Sequence, residues 1–207
     1  MRNVFRIAAA AVLVTLGMMT AGPPAGAAPP GFRYSVQLAP LNGSTVTGTV
    51  TLTLEGDMLV ADFDVMGLEA NRTHLRHIHG HPDDHNATCP GLDRDTNGDG
   101  FISFAEGLPD YGPVQHNFGN FDTGADGTVH ETIAYQVDPA AFSPLQNRAV
   151  VFHGLTVNGV YDVSLPVACA QVTGPTPLNQ QRQVDESALA RGREAAAEPF
   201  ACHLQDA

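Results

Sequence analysis

Apolar and polar positions alternate along much of the chain between Phe32 and Val172. A period of two, with many β-branched residues, predicts strands rather than helices. The clearest alternating segments are Tyr34–Leu38, Thr45–Leu54, Met58–Val65 and Val129–Tyr135, and Ala149–His153 and Tyr161–Leu165 are two further predicted strands. Glu55-Gly56-Asp57 is typical of a tight turn and predicts a hairpin between two of them. Many short strands separated by turn residues favour an all-β fold, as an antiparallel sandwich or barrel.

Two stretches depart from this alternation. The long segment from Gly80 to Asp126 has little periodicity, and so long a loop inside a compact domain is usually functional or held by ligands. After Gly174 the chain becomes polar, and Glu186–Ala197 has a helix-forming composition without an apolar stripe. We therefore predict a β domain over residues 32–173 and a polar, partly helical or disordered tail over 174–207.

The N-terminal residues have the pattern of an export signal. Arg2 and Arg6 precede an apolar run from Ile7 to Met19, and Ala25-Gly26-Ala27 is a typical cleavage site. The run is shorter than the ~20 residues of a membrane span, and no later stretch is apolar enough to be one. Residues 1–27 are thus predicted to be a signal peptide and the protein to be secreted, the alternative being a retained N-terminal anchor.

The net charge narrows the range of partners. Lys and Arg together number 10 and Asp and Glu 22, so the formal charge is −12. Such a surface repels nucleic acid and anionic lipid. It suits divalent cations, although acidic residues often serve only solubility.

Three cysteines are present, at positions 89, 169 and 202. An oxidising compartment favours pairing two of them. We predict the pair Cys89–Cys169, because both lie within the β domain whereas Cys202 belongs to the tail.

A calcium-binding motif lies in the long segment. Asp95–Glu106 matches the twelve-position EF-hand loop, with Gly100 at the sharp turn and Ile102 where the loop packs inward. The predicted calcium ligands are Asp95, Asn97, Asp99, Phe101 through its carbonyl, Ser103 and Glu106. The alternative is a turn rich in Asp, Asn and Gly that only looks similar.

The residues beside this loop indicate what such a site would do. A calcium sensor needs a helix on each side. Pro90 and Gly91 precede the loop, and Gly107, Pro109 and Gly112 follow it, so at most one helical turn is expected on either side. Calcium is therefore predicted to hold the long loop in place rather than to operate a switch.

Histidines suggest a second metal site. Five lie between Thr73 and His85, and His77 and His79 among them would share one face of a strand. His153 ends an apolar strand, and His116 follows the calcium motif. Three or four imidazoles suit copper, zinc, nickel or iron, and spacing alone does not choose among them. The alternative is that these rings bond only carboxylates or backbone groups.

Several motifs resemble one protein family in both order and spacing. They are His77-Ile78-His79, Cys89, His116, Thr123–Gly127 before a strand, Val150-Val151-Phe152-His153 and Pro166-Val167-Ala168-Cys169. This set, from Val36 to Val172, resembles the copper–zinc superoxide dismutases, and His-Ile-His-Gly is also similar to CHRD domains. The resemblance implies an eight-stranded Greek-key barrel and a Cys89–Cys169 bridge. It also implies copper ligands His77, His79 and His153, with His116 as the candidate at the bridging position.

The chain also departs from that family. No histidine lies between His116 and His130, so the zinc site of the family has no counterpart, and the calcium motif occupies that region. Pro166 stands where the family has the arginine that binds the anionic substrate. Fast steering of superoxide is not expected.

Three functions remain open from the sequence. The first is a secreted metal-binding protein with structural calcium and a copper site. The second is a copper-dependent superoxide dismutase without zinc. The third is a calcium-stabilised interaction module of CHRD type, in which the histidines are only structural.

Overall fold

The computed structural model describes residues 31–142 and 144–178, together with positions 180, 183, 185–189 and 191. The predicted signal peptide, Cys202 and most of the predicted tail helix lie outside the described residues. Within the described part of the chain, no helix is long and apolar enough to cross a membrane.

The described residues form an antiparallel sheet with few helices, which confirms the all-β prediction. Its strands are β1 Phe32–Pro40, β2 Thr47–Glu55, β3 Met58–Met66, β4 Thr73–His79, β5 Val114–Asn117, β6 Phe121–Asp122, β7 Val129–Gln136, β8 Ala149–Val157, β9 Val160–Gln171 and β10 Thr176–Pro177. The helices are α1 Phe104–Tyr111 and α2 Pro139–Phe142, with single 3-10 turns at Leu92–Arg94 and Leu145–Asn147.

Eight strands follow one another across the sheet in the order β5-β4-β8-β9-β1-β2-β3-β7. Strands β1 to β3 form a meander, and β9 returns to lie beside β1, as in a Greek key. Strands β6 and β10 pair with β4 and β1 outside this path. The predicted hairpin is present, since β2 and β3 pair up to Glu55 and Met58. The sheet is curled, and within it β4 and β8 pair directly although about 75 residues of chain separate them.

The main core lies on the inner face of the sheet. Val50, Leu52 and Phe63 fill it from β2 and β3, and Ile78 and Phe152 from β4 and β8. Strand β8 is apolar on both faces because its outer face is covered as well. There Ala149 and Val151 contact Ala87, Tyr111 and Cys169 in a second, smaller core under the long segment.

A disulfide joins Cys89 in the long segment to Cys169 in β9, which confirms the predicted pair. The bridge closes a loop of 80 residues, and closing so long a loop removes much entropy from the unfolded chain. It fixes the long segment to the outer face of the sheet, next to β8.

We expect Cys89→Ser/Cys169→Ser to lower the free energy of unfolding by about 4 kcal/mol, because the unfolded chain regains this entropy. Urea denaturation of the oxidised protein and of the double variant measures the difference. A change below about 1 kcal/mol would mean that the long segment holds its place without the bridge.

Candidate metal centre

Three histidines converge on the outer face of the sheet. His77 and His79 lie on one face of β4, as their spacing predicts, and His153 lies beside them on β8, opposite Leu75. One ring nitrogen from each lies within 4.8 Å of the others. His79 and His153 are fully buried, and His77 is 7% exposed. A buried group of three imidazoles is a donor set that transition metals bind.

Backbone carbonyls fix the tautomers of two of these rings. Nδ1 of His79 lies 2.8 Å from the Gly112 carbonyl oxygen, and Nδ1 of His153 lies 2.8 Å from that of Ser164. Because a carbonyl only accepts hydrogen bonds, we assign the ring proton to Nδ1 in both. Each Nε2 then carries a free electron pair. These are the outer contacts that metal-binding histidines usually make.

The free electron pairs point into the group. Nε2 of His79 is buried and has no hydrogen-bond partner. Nε2 of His153 faces Nδ1 of His77 at 3.3 Å. A buried acceptor without a partner costs free energy, so such an atom needs an explanation. A cation held between the three rings would provide one.

Burial also keeps these rings neutral. Desolvation lowers the pKa of His79 to about 4, partly offset by the Gly112 hydrogen bond, and that of His153 to about 3. Desolvation lowers the pKa of His77 too. Since a metal binds the neutral form of imidazole, all three are ready to bind at neutral pH.

The metal-free protein is therefore expected to lose stability as the pH falls from about 6.5 to 4.5. The unfolded chain, with histidine pKa values near 6.5, binds protons that folded His79 and His153 do not. The stabilisation is complete above pH 6.5 and declines below it, by several kcal/mol in order of magnitude.

Urea denaturation at a series of pH values measures this slope. His153→Gln should reduce it by roughly half, because one of the two strongly shifted groups is gone. A flat profile in the unsubstituted protein between pH 6.5 and 4.5 would contradict the burial of neutral rings.

Helix α1 covers the group with aromatic rings. The ring centroid of Tyr111 lies 4.5 Å from that of His79, and Phe104 lies 5.8 Å from His79 and 5.9 Å from His153. Tyr111 is fully buried and its hydroxyl donates to the Phe104 carbonyl at 2.7 Å. The three histidines thus lie between the sheet and an aromatic layer, and little of them reaches solvent.

Two glycines allow this close cover. A Cβ on Gly107 would lie 2.3 Å from the Tyr111 ring. Gly112 has φ +76° and a Cβ there would lie 2.5 Å from the Gly80 carbonyl oxygen, so no other residue fits without a shift. The carbonyl that binds His79 depends on this backbone conformation.

His116 does not join the other three. It pairs with Ile78 across β4 and β5, so its side chain lies on the inner side of the sheet, opposite to His77 and His79. Its ring contacts Phe118, Tyr135 and Phe142. The candidate bridging position implied by the resemblance is therefore not part of this group.

The remaining nearby histidines have other contacts. Nδ1 of His74 lies 3.0 Å from the His153 carbonyl oxygen and its Nε2 lies 3.0 Å from that of Glu69. The rings of His81 and His85 stack at 3.6 Å, and His85 pairs with Asp83. None of these three histidines belongs to the converging group of His77, His79 and His153.

The calcium motif forms a tight loop whose carboxylates accept backbone hydrogen bonds. The two oxygens of Asp95 accept from Gly98 at 2.7 Å and Gly100 at 2.8 Å. Oδ1 of Asp99 accepts from Phe101 at 2.9 Å. Glu106 joins both ends of the loop, because Oε1 accepts from Thr96 and Oε2 from Ser103. Hydrogen bonds, first from the Ser103 backbone and then from the Thr96 side chain, lower the pKa of Glu106 to about 2, so it is ionised at neutral pH.

Ser103 and Glu106 also start α1 as a capping box. The helix has eight residues, and the five that follow Glu106 are slightly more than the one turn that was predicted after the loop. Gly107 does not end the helix because the Tyr111 ring packs on it. Before the loop there is a single 3-10 turn, as expected.

One residue that the sequence did not single out ties the loop to the sheet. The side-chain amide of Asn42 donates to the carbonyls of Ile102 and Pro166, each at 2.9 Å, and its oxygen accepts from the Ile102 N–H at 2.7 Å. Ile102 is buried, as the motif predicts. Asn42 lies in a turn 60 residues away, and nothing in the local pattern indicates this contact.

Comparisons with known proteins leave the family open. No protein-family model and no curated protein matches the chain. One matching solved structure is that of a double mutant of a SOD-like protein from Bacillus subtilis. It is 19% identical, with a TM-score of 0.42, and the match covers 68% of this chain and 97% of that one.

Proposed function

We propose that this protein is an exported metal-binding protein that holds one copper ion on His77, His79 and His153. The observation that carries the proposal is the convergence of three neutral, buried imidazoles around an Nε2 atom that has no partner. Nε2 of His116 is also buried without a partner, so it is the convergence of the three rings, and not the unpaired atom alone, that supports a metal here.

The donor set fits the metal. Nε2 of His79 has no partner, Nε2 of His153 is bonded only to the neighbouring His77 ring, and the Gly112 and Ser164 carbonyls hold the two rings in orientation. Imidazole suits copper, and the order of motifs along the chain resembles the copper-binding dismutases. Copper held here would supply one-electron redox chemistry.

The surroundings favour retention of the metal over rapid turnover. Tyr111 and Phe104 cover the group, and only 7% of His77 is exposed. A net charge of −12 does not attract an anionic substrate. These features support sequestration of copper rather than a fast superoxide dismutase.

Calcium at Asp95–Glu106 is proposed as a structural partner of this site. The carboxylates of Asp95, Asp99 and Glu106 belong to one twelve-residue loop that matches the calcium motif, and hard cations prefer such oxygen ligands. With one short turn before the loop and a packed helix after it, calcium would hold the long segment against the sheet.

Export is proposed from the N-terminal sequence pattern. The Cys89–Cys169 disulfide is consistent with an extracellular location. Calcium outside cells is abundant enough to fill even a weak site.

Elemental analysis of the exported protein, dialysed against a weak chelator, tests the proposal. About one copper per chain is expected, and none in His77→Ala/His79→Ala. Copper with slow superoxide loss supports sequestration, whereas fast loss that vanishes in His153→Ala would establish an enzyme instead. Calcium alone, unchanged in the double variant, would overturn the copper site and leave a calcium-stabilised interaction module.

A further inference from the structure

We propose that calcium bound at Asp95–Glu106 raises the affinity of the three-histidine group for copper, because helix α1 belongs to both sites. The inference rests on the proposed function and adds to it a regulation of the copper site. It makes Glu106 a positioning residue for histidines that it does not touch.

The first end of α1 is part of the calcium motif. Ser103 is the N-cap of the helix and Glu106 is its third residue. The Glu106 carboxylate also accepts from the backbone and hydroxyl of Thr96, at 2.9 and 2.8 Å. Any change in how the loop holds Glu106 therefore changes how the first turn of α1 is held.

The rest of α1 forms the cover of the histidines. Phe104 contacts His79 and His153, Tyr111 contacts His79, and the helix ends at Gly112, whose carbonyl accepts from His79 Nδ1 at 2.8 Å. Glu106 and Gly112 are six residues apart, which is less than two helical turns. In so short a helix, a shift or a loss of order at Glu106 therefore also displaces Gly112.

Helix α1 cannot keep this geometry alone. Isolated helices shorter than about 12 residues are marginal in water, and this one has eight residues and contains Pro109. Its order depends on its capped start and on its packing. Without a cation, the like charges of Asp95, Asp99 and Glu106 oppose the loop geometry that supplies the cap.

A second contact joins the start of the calcium loop to the far end of α1. Arg94, directly before Asp95, forms an ion pair with Asp110 near the end of α1, with Nε to Oδ2 at 2.8 Å. The Asp110 carbonyl also contacts His81 Nε2 at 3.0 Å and accepts from Thr88 at 2.9 Å. A loop ordered by calcium therefore fixes both ends of the helix that orients His79.

The positive charge of calcium, taken alone, would lower the affinity for copper. Calcium cancels two of the three negative charges on the loop and so weakens the general attraction for a second cation. Asp99 is exposed and Asp95 and Glu106 are half-buried, and salt screens charges that reach solvent over a Debye length of about 8–10 Å. Loss of a group that orients a metal ligand costs roughly 10–100-fold in affinity. We therefore expect the positioning effect to exceed the charge effect.

The experiment measures the affinity for cuprous ion by anaerobic competition with a chromophoric chelator. Cuprous ion is chosen because the oxygen ligands of the calcium loop suit it poorly. The protein is stripped of calcium and then studied with and without about 1 mM calcium. An equal concentration of magnesium, which prefers a different geometry, controls for charge and ionic strength.

Two variants separate positioning from charge. Glu106→Gln keeps a residue able to complete the capping box but removes a calcium ligand. Asp93→Asn removes one negative charge from the turn just before the loop and leaves the proposed ligands intact. Calcium binding is followed independently in each protein by the shift in melting temperature.

We expect calcium to raise the cuprous affinity about tenfold or more in the unsubstituted protein and in Asp93→Asn. Magnesium should not do so, and Glu106→Gln should stay at the calcium-free level. By linkage, copper should raise the calcium affinity by the same factor. If both metals bind and neither changes the affinity for the other, the coupling is wrong and the proposed function stands. If copper fails to bind, the proposed function fails and the coupling fails with it, whereas if copper binds and calcium does not, the copper site stands and only the coupling and the calcium site are rejected.

Discussion

Replacing His79 by alanine is expected to lower the copper affinity by more than about 100-fold, whereas His116→Ala should leave it unchanged. Even removal of a residue that only orients a ligand costs roughly 10–100-fold, and His79 is proposed as one of only three ligands. Nε2 of both residues is buried without a partner, but only His79 lies with His77 and His153, and its Nδ1 is held by Gly112. His116 lies on the other side of the sheet among Phe118, Tyr135 and Phe142.

This pair of variants tests whether copper binding requires the histidines that converge in the folded protein or the histidines that match the sequence motif. Both residues are histidines of the same sequence pattern, but β4 directs one to the outer face and the β4–β5 register directs the other inward. The competition assay with cuprous ion measures both, and melting curves verify that each variant is folded. An equal loss of affinity in the two variants would return His116 to the ligand set and contradict the three-histidine site.

The sequence alone was sufficient to predict the strands in which apolar and polar residues alternate. Alternation identified β1, β2, β3 and β7, and the predicted strands Ala149–His153 and Tyr161–Leu165 lie in β8 and β9. The period of two placed His77 and His79 on one face without knowledge of the partner strand. The short strands β5, β6 and β10 were not identified, because two to four residues are too few to show a period. Their existence depends on pairing with β4 and β1.

The sequence alone could not predict the register in which β4 and β5 pair, or the residues that cover the three histidines. The side on which His116 lies follows from its pairing with Ile78, which no local pattern encodes. The helix after the calcium motif was underestimated because Gly107 and Pro109 outweighed the Ser103–Glu106 capping box in the local interpretation. Tyr111 and Gly112, which cover and orient His79, could be assigned a role only once that helix was in place.

Removal of calcium is expected to lower the melting temperature by roughly 5–10 °C. At a calcium concentration about 100 times Kd, binding to the folded state alone contributes about 2.7 kcal/mol. For a domain of this size, 1 kcal/mol corresponds to roughly 2–4 °C. Differential scanning calorimetry in calcium and in a calcium chelator measures the shift.

The variant Asp99→Asn distinguishes a calcium site from a turn that only resembles one. In such a turn Asp99 merely accepts from the Phe101 N–H at 2.9 Å, and the amide oxygen of asparagine can do the same. The substitution would then change the melting temperature little in either solution. In a calcium site it should reduce the calcium affinity and so the shift at limiting calcium, because an amide oxygen still binds the ion but one ligand charge is lost. In chelator it should leave the melting temperature unchanged or slightly higher, because one of three like charges is gone. Asp93→Asn, outside the loop, should keep the full calcium shift, and the absence of any calcium shift in the unsubstituted protein would reject the calcium site.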